Sequence, residues 1–301
     1  MPAEPASAVV NPGPEVLARA YAACEAMARR HYENFPVASL LLPAAMRPHV
    51  AAVYAFARVA DDFADEGSRP VAERYRLLDD WLGRLRACVD GAAGAAGESP
   101  HDLIFIALGQ SIRSLRLPVG LFEDLLSAFR QDVETHRYRT WDDVLDYCRR
   151  SANPVGRLVL RIAGYDDEAL DRSSDALCTA LQLANFWQDF GRDWRAGRLY
   201  VPLDDCDACG AHEADLDAER LTPQWLDVMR LVAVRTRDLF ERGRAVCDGV
   251  GGRLRLELRF TWLGGRRILE RVEASGYDVL AHRPALGAAD APALLWRAFR
   301  W

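Results

Sequence analysis

Residues 181–202 read LQLANFWQDFGRDWRAGRLYVP, an apolar and aromatic stretch into which one amide and two carboxylates are set at a helical interval. On a helix of about 3.6 residues per turn, Asn185, Asp189 and Asp193 fall one above another, with Gln182 a turn earlier. A lone D-x-x-x-D is ordinarily a solvated helix face. Here, carboxylates four residues apart repel, and Asp and Asn are poor interior helix formers. Something outside the helix is therefore expected to compensate them, and a divalent cation could do so.

A second ladder supplies a partner. In residues 53–67, VYAFARVADDFADEG, Tyr54, Arg58, Asp61 and Asp65 recur at spacings that gather them on one face. Asp62 sits at the edge of that face, while Phe56, Val59 and Phe63 point toward a core. Two acidic ladders on apolar helices are far more specific than one. Facing each other across a cavity, their carboxylates would repel unless hard, oxygen-preferring cations lay between them. Mg²⁺ fills that role and completes its octahedron with water and phosphate oxygens, so the pair predicts a diphosphate substrate.

The 301 residues are 50% hydrophobic and 27% charged, a globular composition with material for a sizeable core. Net charge is −6 and no basic run interleaves with aromatics, which argues against a nucleic-acid partner. Lysine is absent, so arginine is the only permanent cation with which to hold a diphosphate. Residues 1–14 lack a basic segment followed by an apolar one and read as a disordered lead, with 15–301 as a single domain. The apolar run 35–46 is too short to span a bilayer and carries Pro36 and Pro43. The chain is thus expected in the cytoplasm, with peripheral contact at the inner face of the cell membrane left open. Seven cysteines suggest reduced thiols. Cys206, Cys209 and His212 lack a fourth ligand for zinc and read as part of an irregular loop.

No alternating strand pattern appears, whereas helical periodicity is nearly continuous, so the class is all-α. Helices are expected from Glu15 to Tyr32, from Pro48 to about Glu66, and over roughly 70–89, 101–115 and 118–135. Between them lie the NFPVASLLLP connection, residues 34–43, and the small-residue linker GAAGAAGES, residues 91–99. Residues 141–164 read as one helix kinked at Pro154, with Asn153 at the kink and Tyr147 and Ser151 a turn apart beside it. Asn153 either borders a site or satisfies backbone freed by the proline. Residues 203–222 read as polar and poorly ordered, followed by helices over 223–246 and 254–275. The last nine residues, ALLWRAFRW, suit either docking on the body or resting on a membrane surface.

Taken together, Tyr54-x3-Arg58-x2-Asp61-x3-Asp65, the stretch YCRRSANPVG at 147–156, and Gln182-x2-Asn185-x3-Asp189-x3-Asp193 followed by GRLYVP resemble the squalene and phytoene synthase family. The resemblance implies an isoprenoid synthase type I helical bundle with Mg²⁺ and the diphosphate at the mouth of a deep apolar cavity. It implies metal-binding roles for Asp61, Asp65, Asn185, Asp189 and Asp193, and contacts around the diphosphate for Tyr54, Arg58 and Gln182. Tyr147 matches a tyrosine near the reacting carbons, and Phe186, on the ladder's side of its helix, is a candidate to face a carbocation or to pack in the core. Gln188 stands where most members carry arginine, and Ser151 and Asn153 replace an apolar residue and a glycine. These departures most resemble the bacterial hydroxysqualene synthase branch, associated with hopanoid synthesis. That branch implies presqualene diphosphate as substrate, capture of its cation by water, no NADPH, and functional coupling to other squalene-pathway enzymes. The rival activity is head-to-head condensation of prenyl diphosphates; a non-catalytic assembly protein would have no reason to keep both ladders.

Overall fold

The computed structural model describes residues 12–30, 41–91 and 99–301, which form two compact units. Most of the N-terminal lead, most of the NFPVASLLLP connection and most of the GAAGAAGES linker lie outside the described residues. Among the described residues no strand forms; one isolated bridge joins Arg137 and Leu199.

The first unit takes in residues up to Glu134 together with Leu158–Tyr165. It contains α1 (Pro14–Arg30), α2 (Arg47–Asp65), α3 (Val71–Val89), α4 (Pro100–Leu115) and α5 (Val119–Asp132). Their starts follow local chemistry. Pro48 occupies the first turn of α2, where a missing N–H costs nothing, and Ser99 and Asp102 close a reciprocal capping box on α4. The buried side of α2 presents Phe56, which stacks on Trp81 of α3 and meets Phe105 of α4 and Phe122 of α5 edge to face. All four rings are fully or almost fully buried, each contributing on the order of 2–3 kcal/mol by removal from water. This cluster fixes the rotation of α2 and so turns its polar ladder the other way.

The second unit takes in Thr135–Arg157 and Asp166–Trp301. Its helices are α6 (Trp141–Ser151), the start of α7 (Asn153–Ile162), α8 (Glu168–Arg195), α9 (Leu203–Cys209), α10 (Glu213–Asp217), α11 (Pro223–Gly243), α12 (Ala245–Gly249), α13 (Gly252–Ala274) and α14 (Asp290–Arg300). Helix α8, ~42 Å long at 1.5 Å per residue, packs against α6, α11, α12 and α13. Gly243 lets α11 close on it, since a Cβ there would stand 2.6 Å from the Leu177 backbone nitrogen. Trp187 is buried in this contact and donates to Thr236 Oγ1 at 2.8 Å.

Two expectations are corrected. Residues 141–164 are two helices rather than one kinked helix: α6 ends at Ser151, Ala152 leaves the helical path at φ −115°, and Pro154 lies in the first turn of α7. There the proline removes no intrahelical bond, so the break precedes it. Residues 203–222 are not an irregular loop. They form α9 and α10, with Cys206 and Leu216 buried, Asp205 paired to Arg235 at 2.6 Å, and Trp225 donating to the His212 carbonyl at 3.0 Å. The first helix is described over Pro14–Arg30, and its expected end at Tyr32 lies outside the described residues. All seven cysteines are unpaired.

Candidate functional site

On α2 the ladder side chains engage one another. Arg58 Nη2 meets Asp62 Oδ1 at 2.5 Å and Glu66 Oε1 at 2.9 Å, while its Nη1 stands 3.7 Å from Asp61 Oδ2. Partial burial of the guanidinium works against its charge, but Asp62, Asp61 and Glu66 outweigh it and raise its pKa further. The Nε–H of Arg58 is nevertheless buried with no hydrogen-bond partner, a donor left over for an anion. Tyr54 lies a turn before it, partly buried, which pushes its phenol pKa up. Asp65 is exposed at the end of the ladder.

On α8 the second ladder runs from Gln182 through exposed Asn185 and half-buried Asp189 to half-buried Asp193. Two segments from elsewhere in the unit frame it. Residues 197–204 run alongside 136–139, with Leu199 N donating to the His136 carbonyl and Leu203 N to the Tyr138 carbonyl, both at 3.0 Å. Arg137 adds a 2.7 Å bond to the Gly197 carbonyl. This pairing lays the ring of Tyr200 flat on Phe186, with centroids 3.7 Å apart and planes 3° from parallel. Tyr138 and Tyr147 complete a buried four-ring cluster at centroid separations of 5.6–6.2 Å.

The other segment is 279–284. Gly191 N donates to the Val279 carbonyl at 3.2 Å and Arg195 Nη2 to the Leu280 carbonyl at 2.9 Å. A Cβ on Gly191 would collide with that same Leu280 carbonyl at 2.1 Å, so this docking needs glycine. Gln188, where a relative's arginine was expected, is buried and donates to the Pro284 carbonyl at 2.6 Å. The neighbouring Arg283 then reaches Asp189, so the guanidinium missing at position 188 arrives on the ladder from position 283. Sequence reading missed Arg283, Tyr138 and Tyr200; only Tyr200, inside GRLYVP, lay within a motif that could have flagged it.

The middle signature lies across the junction of α6 and α7. Asn153 is buried, and its Oδ1 accepts a 2.9 Å bond from Thr179 on α8, so its carbonyl does not answer backbone freed by Pro154. Two residues earlier the Oγ of Ser151 is buried with no hydrogen-bond partner. Tyr147, one turn before Ser151, belongs to the ring cluster.

The ladder donors are all oxygen, which suits a hard dication. The instability of a bare acidic ladder is met in this structure by arginines, Arg58 on α2 and Arg283 with Arg192 on α8. Among the described residues no group of three His, Cys, Asp or Glu side chains is gathered as a metal cluster, and Cys206, Cys209 and His212 form none.

The chain is similar to known proteins along most of its length. A hydroxysqualene synthase of Zymomonas mobilis is 38% identical over 213 residues, covering 70% of this chain and 68% of that protein. One of Rhodopseudomonas palustris is 36% identical over 258 residues, covering 83% and 82%. The crystal structure of squalene synthase HpnC from Alicyclobacillus acidocaldarius superposes with a TM-score of 0.81 at 40% identity, over 88% of this chain and 97% of that one. The fold is thus that of the all-α isoprenoid synthases. The profile of the family described as squalene/phytoene synthase matches residues 28–290, which hold both ladders, the middle signature and Arg283, and the chain accordingly belongs to that enzyme family.

Proposed function

We propose that this protein converts presqualene diphosphate and water to hydroxysqualene and diphosphate by ionisation, carbocation rearrangement and water capture. The observation that carries the reading is the adjacency on α8 of a polar ladder and a buried aromatic cluster: Asn185 and Phe186 are consecutive residues, one exposed and one in the ring stack. A diphosphate can leave at the polar edge while its carbon chain lies against rings whose faces stabilise positive charge and whose bulk excludes water. The names of the two relatives at 38% and 36% identity support the same reading.

In this reading Asp61, Asp65, Asn185, Asp189 and Asp193 hold Mg²⁺. When bound, Mg²⁺ withdraws charge from the diphosphate as its C–O bond breaks. Tyr54, Gln182 and Arg58, through its unspent Nε–H, bind the diphosphate oxygens, and Arg283 adds a second guanidinium. Tyr147 and Phe186 border the reacting carbons. Ser151 and Asn153 hold the water that is captured, one through a hydroxyl with no other partner and the other through its amide. No nicotinamide is required, because the oxygen comes from water and no hydride is delivered. The protein works in the cytoplasm in sequence with enzymes that make presqualene diphosphate and consume the alcohol.

The test is incubation of the purified protein with presqualene diphosphate, Mg²⁺ and ¹⁸O-water, without NADPH, and separately with farnesyl diphosphate alone. Labelled hydroxysqualene from the first supports the reading. Consumption of farnesyl diphosphate with no alcohol from presqualene diphosphate would instead assign a condensing synthase.

A further inference from the structure

Helix α14 is apolar on both of its sides. Its inner side is docked: Leu294 and Ala298 are buried, and Trp301, just past its end, meets Trp262 of α13 edge-on at 5.2 Å and donates to Asp248 Oδ2 at 3.1 Å. Its outer side carries Trp296 and Phe299, which at 62% and 66% exposure are the most exposed large apolar side chains among the described residues. At about 100° per residue these two project in neighbouring directions, with exposed Pro292 and Ala293 beside them. A helix that merely covers a core turns polar groups to solvent. The outward aromatics here do nothing for the docking already achieved by the other face.

The charged side chains beside them on the helix are arginines. Arg297 and Arg300 are exposed on the same helix, and the Arg300 guanidinium lies 5.0 Å from the Trp296 ring centre. At the end of the helix Arg244 and Arg259 flank the ring of Trp301 at 4.6 and 5.2 Å, Arg259 being paired to Asp248 at 2.6 Å. The one acidic residue of the helix, Asp290, is at its opposite end and is engaged by Arg271 at 2.6 Å and by the Gly287 amide at 2.7 Å. A chain of net charge −6 thus sets two exposed arginines beside the most exposed aromatic pair among its described residues.

We propose that the outer face of α14 docks on an anionic lipid surface, with Trp296 and Phe299 entering the boundary between headgroups and acyl chains and Arg297 and Arg300 meeting lipid phosphates. Aromatic rings of this kind settle at that boundary, and a cationic rim adds attraction to an anionic leaflet. A second copy of the chain is the poorer occupant, because a two-fold contact through this face would set the same arginines against each other.

The experiment is co-sedimentation of the full chain with vesicles of phosphatidylcholine alone and of phosphatidylcholine with roughly 30% phosphatidylglycerol, at low salt and at about 0.5 M salt. Binding is expected to the anionic vesicles, weakening with salt. The double variant Trp296→Ser/Phe299→Ser should lose at least about tenfold in partitioning, and each of Arg297→Gln and Arg300→Gln about fivefold. All variants should keep native helicity and native turnover of soluble substrate. Failure of the full chain to bind anionic vesicles, or equal binding by the serine variant, overturns the proposal. So does a concentration-dependent dimer in sedimentation velocity that the serine variant abolishes, because the covering surface would then be a second copy.

Discussion

Arg283 grips Asp189 with both arms of its guanidinium, Nε on Oδ1 and Nη2 on Oδ2 at 3.2 Å, although the two residues are 94 positions apart. Asp189 is 15% exposed and Arg283 37%, so the carboxylate is partly shielded while the guanidinium stays in reach of solvent. A guanidinium held on a carboxylate repels an incoming dication and must shift when one binds. Arg283→Gln is therefore expected to tighten Mn²⁺ binding to the substrate-free protein several-fold, read by electron paramagnetic resonance, while lowering turnover. Unchanged or weaker Mn²⁺ binding would show that Arg283 does not compete for Asp189.

Asp61 and Asp189 are the ladder members whose acidity the proposed chemistry most requires. Asn at either position keeps the shape and one oxygen but removes the charge that fixes a dication. Turnover should fall by at least about a hundredfold in each case, with the far-UV spectrum unchanged because neither side chain supports the core. Wild-type rates at saturating Mg²⁺ in either variant would dismiss that residue from the metal site.

Both ladders and the all-α class were legible in the sequence because spacings of three and four residues are a property of one helix and need no partner to be seen. What α8 touches was not legible in the same way. The approach of Arg283 depends on Gly191, Gln188 and the carbonyls of residues 279–284, none of which forms a local pattern. Tyr138 and Tyr200 meet because two non-adjacent segments pair through their backbones. Pro154 was misread for a local reason: a window of sequence does not distinguish a proline inside one helix from a proline in the first turn of the next. In residues 203–222 polarity hid Cys206 and Leu216, whose burial is tertiary, as are the Trp225–His212 bond and the Asp205–Arg235 pair that hold the segment.

Glu257 on α13 is 5% exposed, and its Oε2 has no hydrogen-bond partner. Burial pushes its carboxyl pKa up from 4.5 to about 7. The unfolded chain releases this proton near pH 4.5 and the folded one only near 7, so the site costs nothing below pH 4.5. Stability then falls as pH rises between those values and levels off above the higher one. Glu257→Gln removes that slope. Urea unfolding at pH 5 and pH 8 should show the variant gaining on wild type by roughly 2–3 kcal/mol at the higher pH. Equal pH slopes for the two proteins would mean that Glu257 ionises normally.

In the proposed reaction the product oxygen comes from a water held at the junction of α6 and α7, and the two polar residues there carry different burdens. Asn153 ties α7 to α8 through Thr179, so Asn153→Gly removes a buried hydrogen bond as well as a water contact and should cost about 1–2 kcal/mol of stability. Ser151 has no such tie; its buried Oγ lacks a partner in the protein, and a buried hydroxyl left unsatisfied is itself destabilising. Ser151→Ala should therefore leave stability unchanged or slightly higher while depriving the water of one of the two to four partners it needs. With presqualene diphosphate in ¹⁸O-water, the alanine variant is expected to consume substrate at close to the native rate but to divert carbocation from labelled alcohol to elimination products, resolved by mass spectrometry. An unaltered alcohol fraction in Ser151→Ala, together with an unaltered fraction in Asn153→Gly, would place the captured water elsewhere.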